Sequence, residues 1–282
     1  MTRLTAVQIA SYRRDGFVHP IRLLNEDRTA ELRAALDDQL HGNVPTDAYE
    51  LTDPIAIRAT GHGEARRLEY VKGNRSAPHT FPFLFNIWRF DYRFRSVAFD
   101  PAIAEMARQL LDCSEVLLME DNAIVKYPRT GRLPWHQDLG YWPIAEPAAI
   151  TVWIALDSVT PQNGGMQFVP GSQRYGERLP VDFGTGASLL GEERPRARSV
   201  PTDPTADGHP IVNYLLKEGE AGIHDPLVWH SSFPNDTDAP RFAYVLRYLR
   251  SGTVWWGDRR MPYDDIGCRV GERVDGRHLP VV

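Results

Sequence analysis

Two histidines and an aspartate are the residues of this sequence whose types and spacing fit a metal site. His136 and Asp138 form a His-x-Asp pair, and His230 follows far downstream. In extended backbone the side chains alternate, so His136 and Asp138 would point the same way and could hold one ion. Two histidines and one carboxylate on one face of an iron(II) ion leave the opposite positions open to a bidentate cosubstrate and to dioxygen.

The His-x-Asp pair is weak evidence by itself. Nine histidines and 37 acidic residues in a chain of 282 predict roughly one His-x-acid pair by chance, and motif matches carry false positives. His62 and Glu64 form a second match in a glycine-bearing, charged stretch. The alternative to a metal site therefore stays open, in which these histidines end strands and make ordinary hydrogen bonds.

An arginine downstream of His230 could bind a carboxylate beside the metal. A turn-rich loop follows His230 and is predicted to join two strands as a hairpin, with Arg241 at the start of the second strand. The guanidinium offers a planar fork that matches a carboxylate. Ser232 shares the side of His230 by strand alternation and could add a hydroxyl to the same carboxylate.

Helices are predicted for the first part of the chain. Thr5 with Gln8 has the spacing of a capping box, and Gly16 suits a left-handed cap at the end of that helix. A second helix is predicted from Asn25 to Gly42, and a third begins at Asp100-Pro101 with proline in its first turn. The stretch 43–99 between them has no clear pattern.

Strands are predicted from Val116 onward, where short β-branched and aromatic runs alternate with turn residues. The turn Asn163-Gly164-Gly165 suits a tight antiparallel connection. The polar, proline-bearing segment 171–219 is a long excursion that is typically functional or mobile. The predicted strands are 116–119, 122–127, 149–156, 166–169, 222–230 and 241–249.

The composition is that of an ordinary soluble protein, with a net charge of −5 and no long apolar run. We therefore expect a cytoplasmic monomer or homodimer that binds neither nucleic acid nor a membrane. Cys113 and Cys268 belong to no CxxC pair, so we expect them to be idle thiols.

The sequence resembles the phytanoyl-CoA dioxygenase-like branch of the iron(II)- and 2-oxoglutarate-dependent oxygenases. The resemblance covers most of the chain and is weakest over 43–99 and 172–220. The matching segments are Trp135-His136-Gln137-Asp138-Leu139-Gly140-Tyr141-Trp142-Pro143, Thr151-Val152-Trp153, Asn163-Gly164-Gly165-Met166, Pro170-Gly171-Ser172, His230, Ser232, Asn235 and Arg241, with Asp15-Gly16-Phe17-Val18 after the opening helix.

The resemblance implies a mainly β fold, a double-stranded β-helix of the jelly-roll, cupin-like kind, with flanking helices packed on one sheet. We expect a single domain over 1–282, in which a helical part, 1–112, packs on a jelly-roll core, 113–282.

The resemblance also implies a ligand set. Iron(II) would be held by His136, Asp138 and His230, and 2-oxoglutarate would chelate the iron while its far carboxylate meets Arg241 and Ser232. Asn122, Thr151 and Trp153 match positions that line the cosubstrate pocket, and dioxygen is the second cosubstrate.

One departure from the family pattern concerns the distal histidine. Relatives often have glycine after this residue, whereas the chain has Ser231, and His224-Asp225 precede it as a rival imidazole and carboxylate. The step from His230 to Arg241 fits the family loop, so we favour His230.

The implied reaction is oxidative decarboxylation of 2-oxoglutarate coupled to oxidation of a substrate C–H bond, most often hydroxylation. We expect a small, partly apolar metabolite, a biosynthetic intermediate, as substrate, with Tyr141, Trp142 and Lys72 as candidate contacts. Alternatives are an acyl-CoA hydroxylase, a desaturase, epimerase or cyclase using the same site, a zinc hydrolase, and a noncatalytic jelly-roll binding module.

Overall fold

The predicted helices form where the sequence places them. The computed structural model describes residues 3–41, 83–89, 91–181, 198–257 and 266–282. Their helices are α1 (Ala6–Asp15), α2 (Glu26–His41), α3 (Tyr92–Ala98) and α4 (Pro101–Leu111). Helix α3 was not predicted, and the predicted end of α2 at Gly42 lies outside the described residues.

The helix caps follow the predicted chemistry. The Thr5 side chain accepts the backbone N–H of Gln8, whose side chain in turn accepts the backbone N–H of Thr5. Gly16 ends α1 with a left-handed φ of 83°. The carboxylate of Asp100 accepts the N–H of Ala102 at 2.7 Å and caps α4. These caps satisfy backbone groups that a helix end otherwise leaves unpaired, so both starts are set locally.

Two antiparallel sheets form the body of the protein. Six strands pair in the order β1-β8-β5-β10-β3-β2, and four pair in the order β4-β9-β6-β7. The strands are β1 (Phe17–Arg22), β2 (Phe83–Phe85), β3 (Val116–Lys126), β4 (Leu133–His136), β5 (Ala149–Ala155), β6 (Met166–Phe168), β7 (Val212–Asn213), β8 (Glu220–His224), β9 (His230–Ser232) and β10 (Arg241–Arg250).

Most predicted strands are present, but some strand bounds and two predicted hairpins are wrong. The predicted strand 222–230 is two strands, β8 and β9, which lie in different sheets. The turn at 163–165 and the loop after β9 do not close hairpins, because β5 and β10 belong to the six-stranded sheet whereas β6 and β9 belong to the four-stranded one. The predicted strands 116–119 and 122–127 are one strand, β3. Turn residues in the sequence therefore show where a strand ends, but they do not show that the next strand joins the other sheet.

The helices pack on the outer face of the six-stranded sheet. Leu36 of α2, Phe94 of α3 and Met106 of α4 share one buried cluster with Val152 of β5 and Leu246 of β10. A second cluster lies between the sheets, where β3, β5 and β10 meet β6. This arrangement, two sheets face to face with helices on one of them, is the jelly-roll architecture that we predicted.

The N-terminal part also supplies strands to the jelly roll. β1 and β2, both from the part predicted to be helical, form the two edges of the six-stranded sheet. β1 escaped prediction because proline argues against a strand. Pro20 sits where the pairing of β1 with β8 is irregular, between Val18 and Ile21. The single-domain assignment remains a prediction.

None of the helices in the described part of the chain has the length and apolar character needed to cross a bilayer.

Candidate active site

Three side chains from two strand ends and one turn meet in the interior. The Asp138 Oδ1 atom lies 3.6 Å from His230 Nε2 and 4.0 Å from His136 Nε2. The rings of His136 and His230 have their centroids 4.1 Å apart. All three residues are buried, and their ligand atoms lie within 4.8 Å of one another, so one metal ion could contact all three.

The two histidines are oriented for a metal by backbone carbonyls. His136 Nδ1 lies 2.8 Å from the carbonyl oxygen of Pro134, and His230 Nδ1 lies 3.0 Å from that of Val228. Because a carbonyl only accepts, each Nδ1 carries a proton, and Nε2 is the nitrogen that faces Asp138 and could bind a metal. Burial, and then His230, lower the pKa of His136 to about 3, so this ring is neutral near pH 7. Metal-binding histidines usually donate from the other ring nitrogen to a carbonyl or carboxylate in this way, which fixes the ring.

The second oxygen of Asp138 is held from the opposite sheet. The Thr151 hydroxyl donates to Asp138 Oδ2 at 2.9 Å, and His224 Nε2 lies 3.4 Å from the same oxygen. Burial alone would raise the pKa of Asp138, but His230 and His224 hold it well below its usual value. The carboxylate is therefore ionised, with Oδ2 engaged and Oδ1 facing the two histidines.

The local conformation of the triad differs from the expected one. Asp138 is helical in φ and ψ and precedes a short 3-10 helix, Leu139–Tyr141, so the argument from strand alternation is wrong. His230 begins strand β9 and does not end a strand; it is the cross-strand partner of His136. The two histidines meet through strand pairing, and the turn after β4 swings Asp138 toward them.

Gln137 fixes this turn although its side chain is not a ligand. Its amide donates to the carbonyl oxygens of Gly176 and Leu227, and its oxygen accepts the N–H of Arg178. The turn is thereby tied to the segment that leads into His230.

Arg241 is a buried cation with free donors. It is 3% exposed, and its Nη2 donates to the carbonyl oxygen of Gly164 at 3.1 Å. Its Nε and Nη1 atoms are buried with no hydrogen-bond partner among the described residues. Burial lowers its pKa to about 10, so it stays protonated near pH 7. Because an unsatisfied buried cation is costly, the arrangement favours an anion that accepts these donors.

Lys126 is a functional candidate that the sequence reasoning missed. It is the cross-strand partner of Arg241, and its Nζ donates to Ser232 Oγ at 2.8 Å and to the carbonyl oxygen of Phe233. Burial, and then Arg241, lower its pKa to about 7. The available signal was a lysine inside a predicted core strand, since lysine is almost never fully buried without a specific partner. Ser232, Lys126 and Arg241 thus line one cationic corner.

The other predicted cosubstrate residues lie on the inner face of the six-stranded sheet. The Trp153 ring lies under Arg241, 4.9 Å from its guanidinium carbon. Thr151 contacts Asp138, as described above. Asn122 is fully buried, and its side-chain oxygen accepts from Arg247. Whether these three residues touch a cosubstrate stays a prediction.

The predicted substrate residues are placed differently from one another. The rings of Tyr141 and His136 lie in a T-shaped arrangement with their centroids 6.2 Å apart. The Tyr141 hydroxyl donates to the Val181 carbonyl oxygen and accepts the Val181 N–H, each at 2.8 Å. Trp142 is 2% exposed and lies 5.5 Å from the Arg247 guanidinium carbon. Lys72 lies outside the described residues.

The rival pair His224-Asp225 does not join the metal cluster. His224 reaches the far oxygen of Asp138 from strand β8, which makes it a neighbour of the cluster. Asp225 accepts the backbone N–H of Leu227 at 2.8 Å, and burial raises its pKa to about 6.

Comparisons with known proteins agree with this geometry. Residues 12–243 match the family of phytanoyl-CoA dioxygenase (PhyH). The mouse phytanoyl-CoA dioxygenase domain-containing protein 1 is 29% identical over 171 residues, which are 57% of this chain and 55% of the mouse protein. The chain thus spans about half the length of that relative.

Two solved structures share the fold. The non-heme alpha ketoglutarate dependent carbocyclase SnoK from nogalamycin biosynthesis has a TM-score of 0.71 at 20% identity, covering 99% of this chain and 96% of SnoK. EctD from S. alaskensis, solved with 2-oxoglutarate and 5-hydroxyectoine, has a TM-score of 0.69 at 23% identity, covering 97% and 86%.

Proposed function

The chain belongs to the phytanoyl-CoA dioxygenase family, and from this premise we propose that it is an iron(II)- and 2-oxoglutarate-dependent oxygenase that hydroxylates a C–H bond of a small, partly apolar metabolite. The observation that carries the proposal is the pairing of the buried triad His136, Asp138 and His230 with the unsatisfied guanidinium of Arg241.

The triad suits iron(II) by its donor chemistry. It offers two imidazole nitrogens and one ionised carboxylate oxygen on one side of an ion. Such a set leaves coordination positions open, which is how non-haem iron(II) oxygenases bind a cosubstrate and dioxygen. The outer oxygen of Asp138 is occupied by Thr151 and His224, so this carboxylate would bind the metal through one oxygen.

The cationic corner suits the far carboxylate of 2-oxoglutarate. Arg241 has two donor nitrogens without a partner among the described residues, and Lys126 adds a second positive charge. The Ser232 hydroxyl, on β9, accepts from Lys126. Ser232 is two residues beyond His230 on the same strand, so an anion bound there would be close to the metal. In 2-oxoglutarate, the keto acid end could bind the metal while the far carboxylate binds Arg241, so one molecule could occupy both sites.

The protein's part in the reaction is binding and exclusion of water. Bound iron(II) with the keto acid supplies the oxidising chemistry, coupling decarboxylation of 2-oxoglutarate to C–H oxidation. Asp138 and the two histidines would hold the metal in one orientation, and Arg241 would fix the keto acid. The apolar side chains between the sheets, such as Trp153, Met166 and Phe168, keep water from the reacting centre.

Ring closure on the same site is the second candidate for the substrate step. SnoK is described as a carbocyclase from nogalamycin biosynthesis, and EctD was solved with 5-hydroxyectoine. A role in nogalamycin biosynthesis and a bound 5-hydroxyectoine both point to small metabolites, which supports a biosynthetic intermediate here. We place hydroxylation first, because oxygen transfer to the carbon radical is the commonest outcome of this chemistry.

A coupled assay tests the proposal. The protein is given iron(II), ascorbate, dioxygen and 2-oxoglutarate with a panel of small metabolites, and succinate release is measured together with the product mass. We expect succinate that depends on substrate and a mass gain of about 16, one oxygen atom. Ring closure would instead give succinate with loss of two hydrogens.

The same assay separates a zinc hydrolase from an oxygenase. A hydrolase would convert substrate without 2-oxoglutarate or dioxygen and would gain nothing from iron(II). Absence of succinate across the panel, with iron bound to the protein, would reject the oxygenase proposal.

A further inference from the structure

A second group of metal-ligand side chains lies near the C-terminus. Cys268, Glu272 and His278 have ligand atoms within 4.8 Å of one another. They lie beyond residues 12–243, the part of the chain that matches the family. Unlike the His136–Asp138–His230 triad, this group contains a thiol, which favours a softer ion such as zinc.

His278 is held from one side by Asp275. The Asp275 backbone N–H donates to His278 Nδ1 at 3.3 Å, and Asp275 Oδ1 lies 3.2 Å from the same nitrogen. Nε2 is then the nitrogen left for an ion. When Nε2 binds an ion, Nδ1 would carry the ring proton and donate it to Asp275 Oδ1. A carboxylate behind a histidine is the usual support for a zinc ligand.

Glu272 supplies a carboxylate beside the Cys268 thiol. One carboxylate oxygen of Glu272 accepts the backbone N–H of Arg269 at 3.0 Å, which fixes that side chain next to the cysteine. A carboxylate beside a thiol attracts a divalent ion, and the ion would in turn stabilise the thiolate.

The C-terminal segment, residues 266–282, packs beside the active site without joining either sheet. Backbone hydrogen bonds hold it, among them Trp255 N–H to the Glu272 carbonyl oxygen and Leu118 N–H to the Pro280 carbonyl oxygen. Its side chains Val274 and Leu279 enter one buried cluster with Tyr141 and Trp142, next to the His136–Asp138 turn. A metal at this point would clamp a segment without regular secondary structure against the wall of the active site.

We propose that Cys268, Glu272 and His278 bind one zinc ion, with a water molecule in the fourth position, and that this ion fastens the C-terminal segment. On binding, the Cys268 thiol gives its proton to solvent and its sulfur becomes a thiolate ligand. Asp275 is a positioning residue that orients His278 and does not touch the ion.

Cobalt(II) is the probe, because a thiolate bound to cobalt gives a charge-transfer absorption in the near ultraviolet that carboxylate and imidazole ligands do not. The chain has two cysteines, so Cys113→Ser is the matched control for Cys268→Ser. We expect the band in the intact protein and in Cys113→Ser, and its loss in Cys268→Ser. Added zinc should displace the cobalt and remove the band.

Two further variants separate ligation from folding. His278→Gln keeps the thiol and should still lose the band, and Asp275→Asn should weaken cobalt binding by about 10- to 100-fold, the usual loss for a residue behind a ligand. Absence of the band in intact protein, or its loss in Cys113→Ser, would overturn the proposal. Either result would leave the oxygenase assignment untouched, since the iron triad contains no cysteine.

Discussion

Strand β10 is largely buried on both faces, and the two faces differ in the polar residues that they carry. Its outer face carries Phe242, Tyr244 and Leu246 into the cluster beneath the helices. Its inner face carries Arg241 and Arg247 among the residues that surround the triad. Burial alone therefore does not distinguish structure from function along this strand.

The two faces differ in how their polar atoms are satisfied. On the outer face, the Tyr244 hydroxyl donates to Asp121 Oδ2 at 2.5 Å, and that of Tyr248 donates to the Ala98 carbonyl oxygen at 2.9 Å. On the inner face, Arg241 keeps two buried donors without a partner among the described residues. Because buried donors are normally hydrogen-bonded, the unpaired donors of Arg241 indicate that a ligand binds on the inner face of β10.

The largest effect is expected at the metal. His230→Ala removes one of two imidazole ligands, so iron(II) affinity should fall by more than about 100-fold, the upper end of the loss seen when a residue that only supports a ligand is removed. His224→Gln is the matched comparison, because His224 approaches the far oxygen of Asp138 and lies outside the ligand cluster, so the iron stoichiometry should stay unchanged. Anaerobic iron(II) titration measures both. Loss of iron in His224→Gln with retention in His230→Ala would reverse the ligand assignment.

The outer face should govern stability without affecting the cosubstrate. Leu246 is fully buried, and Leu246→Ala should lower the free energy of unfolding by about 2–5 kcal/mol while leaving the affinity for 2-oxoglutarate intact. Leu215→Ala makes the same change at a side chain that is 60% exposed and should cost less than about 0.5 kcal/mol. Urea denaturation gives both values. Equal losses in the two variants would contradict the packing described for the outer face.

Arg241→Ala should act on the keto acid alone. Losing a charge-assisted contact worth about 1.5–3 kcal/mol should weaken 2-oxoglutarate binding by roughly 10- to 100-fold with iron occupancy nearly unchanged. Arg250→Ala, on the same strand but in a half-exposed ion pair with Glu146, is the control and should bind normally. Unchanged affinity in Arg241→Ala would show that the carboxylate is anchored elsewhere.

The smallest effect is a pH dependence from Lys126. Its pKa of about 7 in the free protein should rise when a carboxylate binds, so the anion binds best when Lys126 is protonated. Affinity for 2-oxoglutarate should therefore fall as the pH rises through 7, by at most about tenfold between roughly pH 6 and 8. Calorimetric titration at several pH values tests this. In Lys126→Met the slope should disappear; a slope that persists there would assign it to another group.

The sequence predicted the chemistry of the site better than its geometry. His136, Asp138 and His230 were found by residue type and context, and the helix caps at Thr5 and Asp100 act within one turn of chain. What sequence could not supply was the sheet to which each strand belongs, because pairing is decided by contacts between distant segments. The hairpins expected near Gly164 and after His230 failed for that reason.

Two details of the site also depended on tertiary structure. The convergence of His136 with Asp138 comes from a turn that Gln137 ties to neighbouring segments, and strand alternation does not describe it. Lys126 lies within the predicted strand 122–127, and it becomes a candidate only once β3 pairs with β10 and places it beside Arg241 and Ser232.

We propose that the triad and Arg241 bind iron(II) and 2-oxoglutarate as one site. The direct test is an anaerobic titration of 2-oxoglutarate into iron(II)-loaded protein, followed by visible absorption from charge transfer between the iron and the chelating keto acid. We predict a saturable band that requires both iron and 2-oxoglutarate and is lost in His230→Ala. Iron-loaded protein that shows no band at saturating 2-oxoglutarate, or that binds the keto acid equally well without iron, would contradict the account.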